Sequence, residues 1–406
     1  MSTVDGRAGS PWRVPFVRPD LPSAEELAPV FRRIIASGTL TKGVELESLE
    51  TEAARLIGVS HVVAVSSCAV GLALVLRSLR AVAEGSHPVR SPADDRREVI
   101  VPSFIFLAAP AAIEWAGLEP VFVEVDPASW TIDAAAVAAA IGPRTLAVLG
   151  CHTFGCPVDT EAVEAVCAAA GIPLLIDAAH GLGSLHRGRP VGAQGYAQVF
   201  SMSPTKLVCA GEGGLVATDS QPLADSLRQL REYGNDGHYD CVVPGLNGRL
   251  PELAAALGRA SLERLPEVAT RRAAAAAAYT RVLSGVPGIS LQVIDEADRS
   301  SWKDYSIRLD PVVFGIDRDD LRRRLAAAGI DTRTYYDPPC HRMPAFRRYR
   351  RATPLHATER LSAESLSLPL GAHVDVELAA EIASLIVGTH EQASLARSDA
   401  RAAGEE

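Results

Sequence analysis

The 406-residue chain lacks an uninterrupted apolar run long enough to cross a bilayer, which takes about 20 consecutive apolar residues. Its first stretch, Met1 to Pro11, is small and polar and has no apolar signal segment. The expectation is a soluble, cytoplasmic protein with no membrane partner. It also lacks a basic run: 40 Lys and Arg stand against 49 Asp and Glu, a net charge of -9, so no nucleic acid is expected to bind. The short arginine clusters Arg322 to Arg324 and Arg347 to Arg351 read as solvated helix faces. Cysteine is sparse and odd in number, seven in all, scattered through apolar settings. That excludes a disulfide framework and suits a reducing compartment. Cys151, His152 and Cys156 have no second Cys/His cluster at ligand spacing, so no metal is expected.

What is present is organised in two parts. Residues 1–14 read as a flexible arm. Ser23 and Glu26 have the spacing of a capping box, which opens a helix to about Ala36. The glycine-bounded loop Gly38 to Gly43 leads to a second amphipathic helix that Gly58 stops. From there short continuous apolar runs alternate with helical stretches. The runs are His61 to Val65, Val99 to Val101, Pro120 to Val125, Thr145 to Leu149, Ile172 to Ile176, Ala197 to Phe200 and Leu215 to Thr218. Strands apolar on both faces and separated by helices predict an α/β domain over 15–250, with a mainly parallel sheet covered on both sides. Val82 to Arg97 reads as a surface excursion. Residues 251–390 read as a connecting helical stretch over Leu253 to Ala278, interrupted near Pro266, and a smaller α+β domain with strands at Ile289 to Val293, Tyr305 to Leu309 and Asp331 to Tyr335. Residues 391–406 are expected to be a disordered tail.

In such sheets ligands bind beyond the carboxyl ends of the strands, and three strand ends carry chemistry here. After Phe200 comes Ser201-Met-Ser-Pro-Thr-Lys206, then Gly211, Gly213 and Gly214 before the next strand. A lysine that does covalent chemistry must be a neutral amine part of the time, which needs a desolvated, open pocket. After Val65 comes Ser66-Ser-Cys-Ala-Val-Gly71 and a helix, whose N-terminus either receives an anion or is simply capped by Ser67. After Ile176 comes Asp177-Ala-Ala-His180. A carboxylate at a buried strand end needs a cation or several donors; Asp177 either meets a pyridinium nitrogen or caps the turn that follows.

Together these stretches resemble the DegT/DnrJ/EryC1/StrS sugar aminotransferase family over about residues 15 to 390. The motifs are Gly38-Thr-Leu-Thr-Lys-Gly43, Pro102-Ser-Phe-Ile-Phe-Leu-Ala108, Asp177-Ala-Ala-His180, Ser201 to Lys206 with Gly211-Glu-Gly-Gly214, and Gly245-Leu-Asn-Gly-Arg249 with Glu252 to Gly258. The resemblance implies the type I pyridoxal-phosphate transferase fold of aspartate aminotransferase and pyridoxal 5'-phosphate as cofactor. It implies that Lys206 bonds to the cofactor and moves protons, that Asp177 partners the pyridine nitrogen, and that His180 lies near the phenolic oxygen. Phe106 matches the aromatic stacked on the ring. Ser201 and the Ser67, Cys68, Ala69 turn match the phosphate cup, in which Ala69 stands where a threonine is usual. Asn247 matches a phosphate ligand that the family supplies from the neighbouring subunit of a homodimer. Lys42, Arg249 and His341 are candidates for substrate contact. The activity implied is transfer of an amino group from glutamate or glutamine to a nucleotide-linked keto-sugar or a keto-cyclitol. A non-catalytic regulatory member, and a dehydratase acting on the same sugars, remain as alternatives.

Overall fold

The computed structural model describes residues 11–83 and 96–404. The first ten residues of the expected arm, and most of the excursion expected over 82–97, lie outside the described residues. Seven strands form the main sheet: β1 His61–Val65, β2 Glu98–Pro102, β3 Glu119–Val123, β4 Thr145–Cys151 and β5 Leu174–Asp177, then, after the two-residue strands β6 Leu185–His186 and β7 Arg189–Pro190 of a small hairpin, β8 Ala197–Ser201 and β9 Gly214–Thr218. Their order is β1-β9-β8-β5-β4-β2-β3. The pairs from β8 through β5, β4 and β2 to β3 are parallel, while β9 runs antiparallel to both neighbours. The reason is local: no crossover helix separates β8 from β9, so the chain folds straight back.

Each strand feeds two cores because side chains alternate across the pleat. Val62 and Ala64 of β1 join the core under the helix Val44–Ile57, whereas Val63 and Val65 join the core under the helices Cys68–Ala83 and Gln221–Leu230. The capping box forms as its spacing predicts, with the Glu26 N–H donating to Ser23 Oγ at 3.2 Å and the Ser23 N–H to Glu26 Oε2 at 2.6 Å.

The next helix begins at Gly43 with no cap of its own. Its cap comes from far along the chain. The buried Glu252 carboxylate accepts the N–H groups of Gly43, Glu45 and Leu46 at 3.0, 2.9 and 3.0 Å. A Cβ on residue 43 would stand 2.7 Å from that carboxylate, which is why a glycine sits there. Glu252→Ala strands three donors at a positive helix end. We expect a loss of about 2 kcal/mol in urea unfolding, with the far-UV dichroism at zero denaturant unchanged.

The connecting stretch is two helices, Glu252–Glu263 and Leu265–Leu283, which meet at Arg264, with Pro266 in the second one's first turn. The smaller domain holds a three-stranded antiparallel sheet, β10 Ile289–Leu291, β11 Tyr305–Leu309 and β12 Ser365–Leu368, in that order. Here the sequence reading is corrected. Asp331 to Tyr335 makes only an isolated bridge between Arg333 and Ser367, and the third strand is the short β12, concealed behind the helix His356–Glu364.

Two further expectations change. Val14, assigned to the arm, is buried and bridged to Ile330, with N–H···O bonds of 2.9 Å on either side, so a hydrophobic contact anchors the arm's end to the small domain. The tail expected to be disordered instead continues the helix Val376–Gly404. Its alanines favour helix, and Arg397 fastens it by donating to the Val312 and Val313 carbonyls at 2.7 and 3.1 Å. Of the arginine clusters, Arg322 to Arg324 do lie exposed on a helix, whereas Arg347 to Arg351 leave a turn for extended chain in which Arg351 bridges to Phe122.

Candidate active site

The carboxyl ends of β4, β5 and β8 and the loops after β1 and β2 open on one cavity of about 370 Å³. Lys206 is in its wall, on the loop from β8 to β9. That loop is closed by its own backbone: the Lys206 N–H donates to the Ser203 carbonyl at 3.0 Å, and Met202 bonds Ala210 and Gly213 at 2.9 Å each. The Lys206 side chain is half-buried, and its pKa is pushed down to about 8, first by loss of solvent and then by the ammonium of Lys303, against the opposing pull of Asp304, Cys68 and Asp177. About a tenth of the amine is therefore neutral at pH 7, against well under a thousandth for an ordinary lysine, which covalent chemistry requires.

Asp177 ends β5, between β4 and β8. One carboxylate oxygen accepts the Ala179 N–H at 3.0 Å and lies 3.9 Å from the Cys68 thiol. Burial raises its pKa; Ala179, Lys206 and Cys68 lower it. This is a carboxylate short of a cation. His180 accepts the Phe154 N–H on Nδ1 at 3.2 Å, and burial holds its pKa well below the usual value. The ring is thus neutral and carries its hydrogen on Nε2, a donor. It stacks on Phe154 with 6.3 Å between centroids.

The turn after β1 supplies the third group. Ser67 Oγ accepts the Val70 N–H at 3.2 Å, which leaves Cys68 and Ala69 in the first turn of their helix with N–H groups that have no acceptor within it. A Cβ on residue 214 would lie 2.7 Å from the backbone of Ser67 and Cys68, so Gly214 lets the head of β9 and this turn close on each other. Ser67, Cys68, Ala69 and Ser201 all line the cavity, and Phe106, half exposed, stands at its mouth.

Four of the expected residues are elsewhere. Asn247, Arg249 and Lys42 do not line this cavity. They gather around Glu232: Arg249 pairs with it at 2.9 Å and covers the Tyr233 ring at 5.4 Å, Lys42 lies 3.6 Å from it, and Asn247 bridges to it through the backbone. His341 is corrected outright. It is buried away from the cavity, its Nδ1 2.8 Å from Ser103 Oγ and its Nε2 3.3 Å from Glu359, and it braces the loop after β2. The His152 ring is also structural, with Nδ1 accepting the Val158 N–H and Nε2 meeting Gln198, both at 3.0 Å.

The sequence reading missed four residues that the small domain brings to the cavity: Lys303, Asp304, Tyr335 and Tyr336. None sits in a pattern of its own. The hydroxyl of Tyr336 is buried without a protein partner. The donor set suits pyridoxal phosphate: a carboxylate for a ring nitrogen, a neutral imidazole donor, a free amine for a carbonyl carbon, a helix N-terminus with hydroxyls for a phosphate, and one unsatisfied phenol facing the same space.

Fold and site define a pyridoxal-phosphate-dependent aminotransferase of the type I fold. The chain belongs to the DegT/DnrJ/EryC1/StrS aminotransferase family, which it matches over residues 23–387. It is 38% identical over 381 residues, 92% of this chain and 94% of the relative, to the dTDP-3-amino-3,4,6-trideoxy-alpha-D-glucose transaminase of Streptomyces venezuelae. Among solved structures, DesI crystallised with its TDP-sugar product matches with a TM-score of 0.85 at 35% identity, covering 97% of this chain and 96% of that one. DesV of S. venezuelae matches with a TM-score of 0.84 at 35% identity, covering 93% and 99%.

Proposed function

We propose that this aminotransferase moves an amino group from glutamate or glutamine to the ketone of a nucleotide-linked sugar, working in the cytoplasm as a homodimer. What carries the reading is the convergence of a half-buried, weakly basic Lys206 with Asp177 and the Ser67 turn in one cavity. The names of its relatives, a transaminase for a dTDP-linked amino sugar and a structure holding a TDP-sugar product, support the acceptor class. Asn247, Arg249 and Lys42 lie outside their own cavity on one polar surface, which fits a role at the cavity of the partner subunit.

When bound, the cofactor supplies an electron-poor ring that accepts the electron pair released at the donor carbon. The chain does the rest. Asp177 would keep the ring nitrogen protonated and gain there the cation its carboxylate lacks. His180 Nε2–H would donate to the phenolic oxygen. Ser67, Ser201 and the N–H groups of Cys68 and Ala69 would hold the phosphate, and Phe106 would stack on the ring. Lys206, as a free amine, would take the proton from the donor carbon and deliver it to the cofactor carbon bonded to the same nitrogen, and the same transfers would run in reverse on the acceptor. In a homodimer, Asn247 of the partner subunit would add a phosphate ligand.

Incubating the enzyme with 15N-glutamate and a panel of nucleotide-linked keto-sugars and keto-cyclitols tests this by mass spectrometry. Labelled nitrogen is expected in a sugar product, with 2-oxoglutarate formed in equal amount. A product that loses oxygen and gains no nitrogen would make the chain a dehydratase. No spectral response of the cofactor to any amino donor would make it a binding protein.

A further inference from the structure

One charged pair in the cavity wall has no part in the chemistry above. Lys303 Nζ lies 2.8 and 2.9 Å from the two oxygens of Asp304, and both side chains are 4% exposed. The peptide that carries them is clamped: buried Arg272 donates to the carbonyls of Trp302 and Lys303 at 3.1 and 2.9 Å, and the Asp304 N–H reaches the Phe154 carbonyl at 3.4 Å. Lys303 Nζ also stands 6.0 Å from the centroid of the Tyr335 ring. Taking two charges out of water is expensive, and well-packed apolar residues in their place are often as stable. The pair gives the fold little that a Leu and a Met would not.

Its location indicates what it does give. Lys303 and Asp304 share the main cavity with Lys206, and they meet it again at a small void on the far side, beside Arg272 and the segment Phe16 to Pro19. From the sheet side Lys206 faces Asp177, Cys68 and His180, and from its own loop Glu212. From the small domain it faces the phenols of Tyr335 and Tyr336, Arg272 and the pair itself, and Arg18 lies on the N-terminal segment at the small void. Asp177 and His180 would be engaged by the ring. The pair is a charged element that the ring would not engage, held in place by Arg272 and lining both voids together with Lys206.

We propose that Lys303 and Asp304 are positioning residues that set how readily the nitrogen of Lys206 holds its proton, Lys303 biasing it towards the free amine and Asp304 limiting that bias. The direction of each influence on Lys206 agrees: Lys303 lowers its pKa and Asp304 raises it. An ion pair placed this way is a trim. Removing the cation leaves Asp304 to hold the proton on Lys206, and removing the anion leaves Lys303 to expel it. Opposite signs from neighbouring substitutions are what a merely structural pair does not produce. The proposal rests on the reading that Lys206 is the lysine bonded to the cofactor.

The holoenzyme tests it through the absorption band of the lysine-bound cofactor, titrated from about pH 6 to about pH 10, because the band reports the proton on that nitrogen. Lys303→Met is expected to move the midpoint up by about one unit and Asp304→Asn down by about one unit, the scale of a nearby buried charge. Lys303→Arg keeps the charge and should titrate as the wild type does. If Asp304→Asn fails to fold, the double variant Lys303→Met/Asp304→Asn replaces it, with a midpoint expected between the wild type and Lys303→Met. Midpoints that move the same way, or stay put, overturn the proposal. An unmoved midpoint with a raised KM for the amino donor would also overturn it and make Lys303 a donor-binding group. Lys206→Ala separates the two readings: if it keeps the band, the assignment of Lys206 has failed, and if it loses the band while the pair's variants leave the midpoint alone, only the trim has failed.

Discussion

Lys206→Ala is expected to abolish steady-state transamination, with kcat down on the order of 10⁴-fold, and to lose both the visible band of the lysine-bound cofactor and the cofactor that borohydride would otherwise fix to the protein. The size follows from the double duty the cavity assigns to one amine, a covalent link and the proton transfer. Lys206→Arg should be nearly as inactive, because a guanidinium stays charged and cannot serve as the neutral nucleophile. In the cofactor-free wild type, attachment of the cofactor, which needs the free amine, should quicken as pH rises through about 8 and then level off in stopped-flow absorbance. The same substitution should act in the opposite direction on folding. A lysine whose pKa falls from 10.5 to about 8 on folding destabilises the native state fully below about pH 8, and the penalty fades as pH rises towards 10.5. Cofactor-free Lys206→Ala should therefore melt above the wild type at pH 7, with a gap that narrows by pH 10. A lower melting temperature for the variant at pH 7 would contradict that account of the buried amine.

The second large effect is expected at Asp177. Asp177→Asn keeps the shape and the Ala179 hydrogen bond but loses the charge, so the ring nitrogen of the bound cofactor is no longer held protonated. We expect kcat to fall by roughly 10² to 10³, the scale of a lost proton-holding group, with the cofactor still attached to Lys206. Stability should again move the other way. A carboxyl with a raised native pKa costs nothing below the unfolded value of 3.8 and destabilises the native state increasingly as pH rises past it. The cofactor-free Asn variant should be the more stable protein at pH 7 and equal to the wild type near pH 3 by calorimetry. An Asp177→Asn enzyme with wild-type kcat would show that the carboxylate does not hold the ring proton.

These two residues were legible in the sequence for a simple reason. Both follow runs of apolar residues that mark strands, and a parallel sheet covered by helices gathers such strand ends at one edge. Lys206, Asp177, Ser67 and Ser201 therefore land together without further information. His341 illustrates the limit of this reasoning. A histidine next to Pro339 and Cys340 reads like a site residue, yet its position depends on Ser103 and Glu359, which the chain brings to it from both directions. β12 was missed because four residues behind a helix make too short a pattern, and the C-terminal helix because polar, alanine-rich sequence resembles disorder until a partner such as Val312 fastens it.

Local sequence, then, determined the α/β sheet and the half of the site that sits on strand ends, because hydrophobic periodicity and helix capping act over a few residues. Tertiary structure alone decided the other half. The Glu252 carboxylate caps a helix that begins at Gly43, the Tyr336 phenol is left unpaired in the cavity, and the Lys303–Asp304 pair stands against Lys206. Burial and Coulomb forces depend on what surrounds a group in space, and no local pattern in the chain records that.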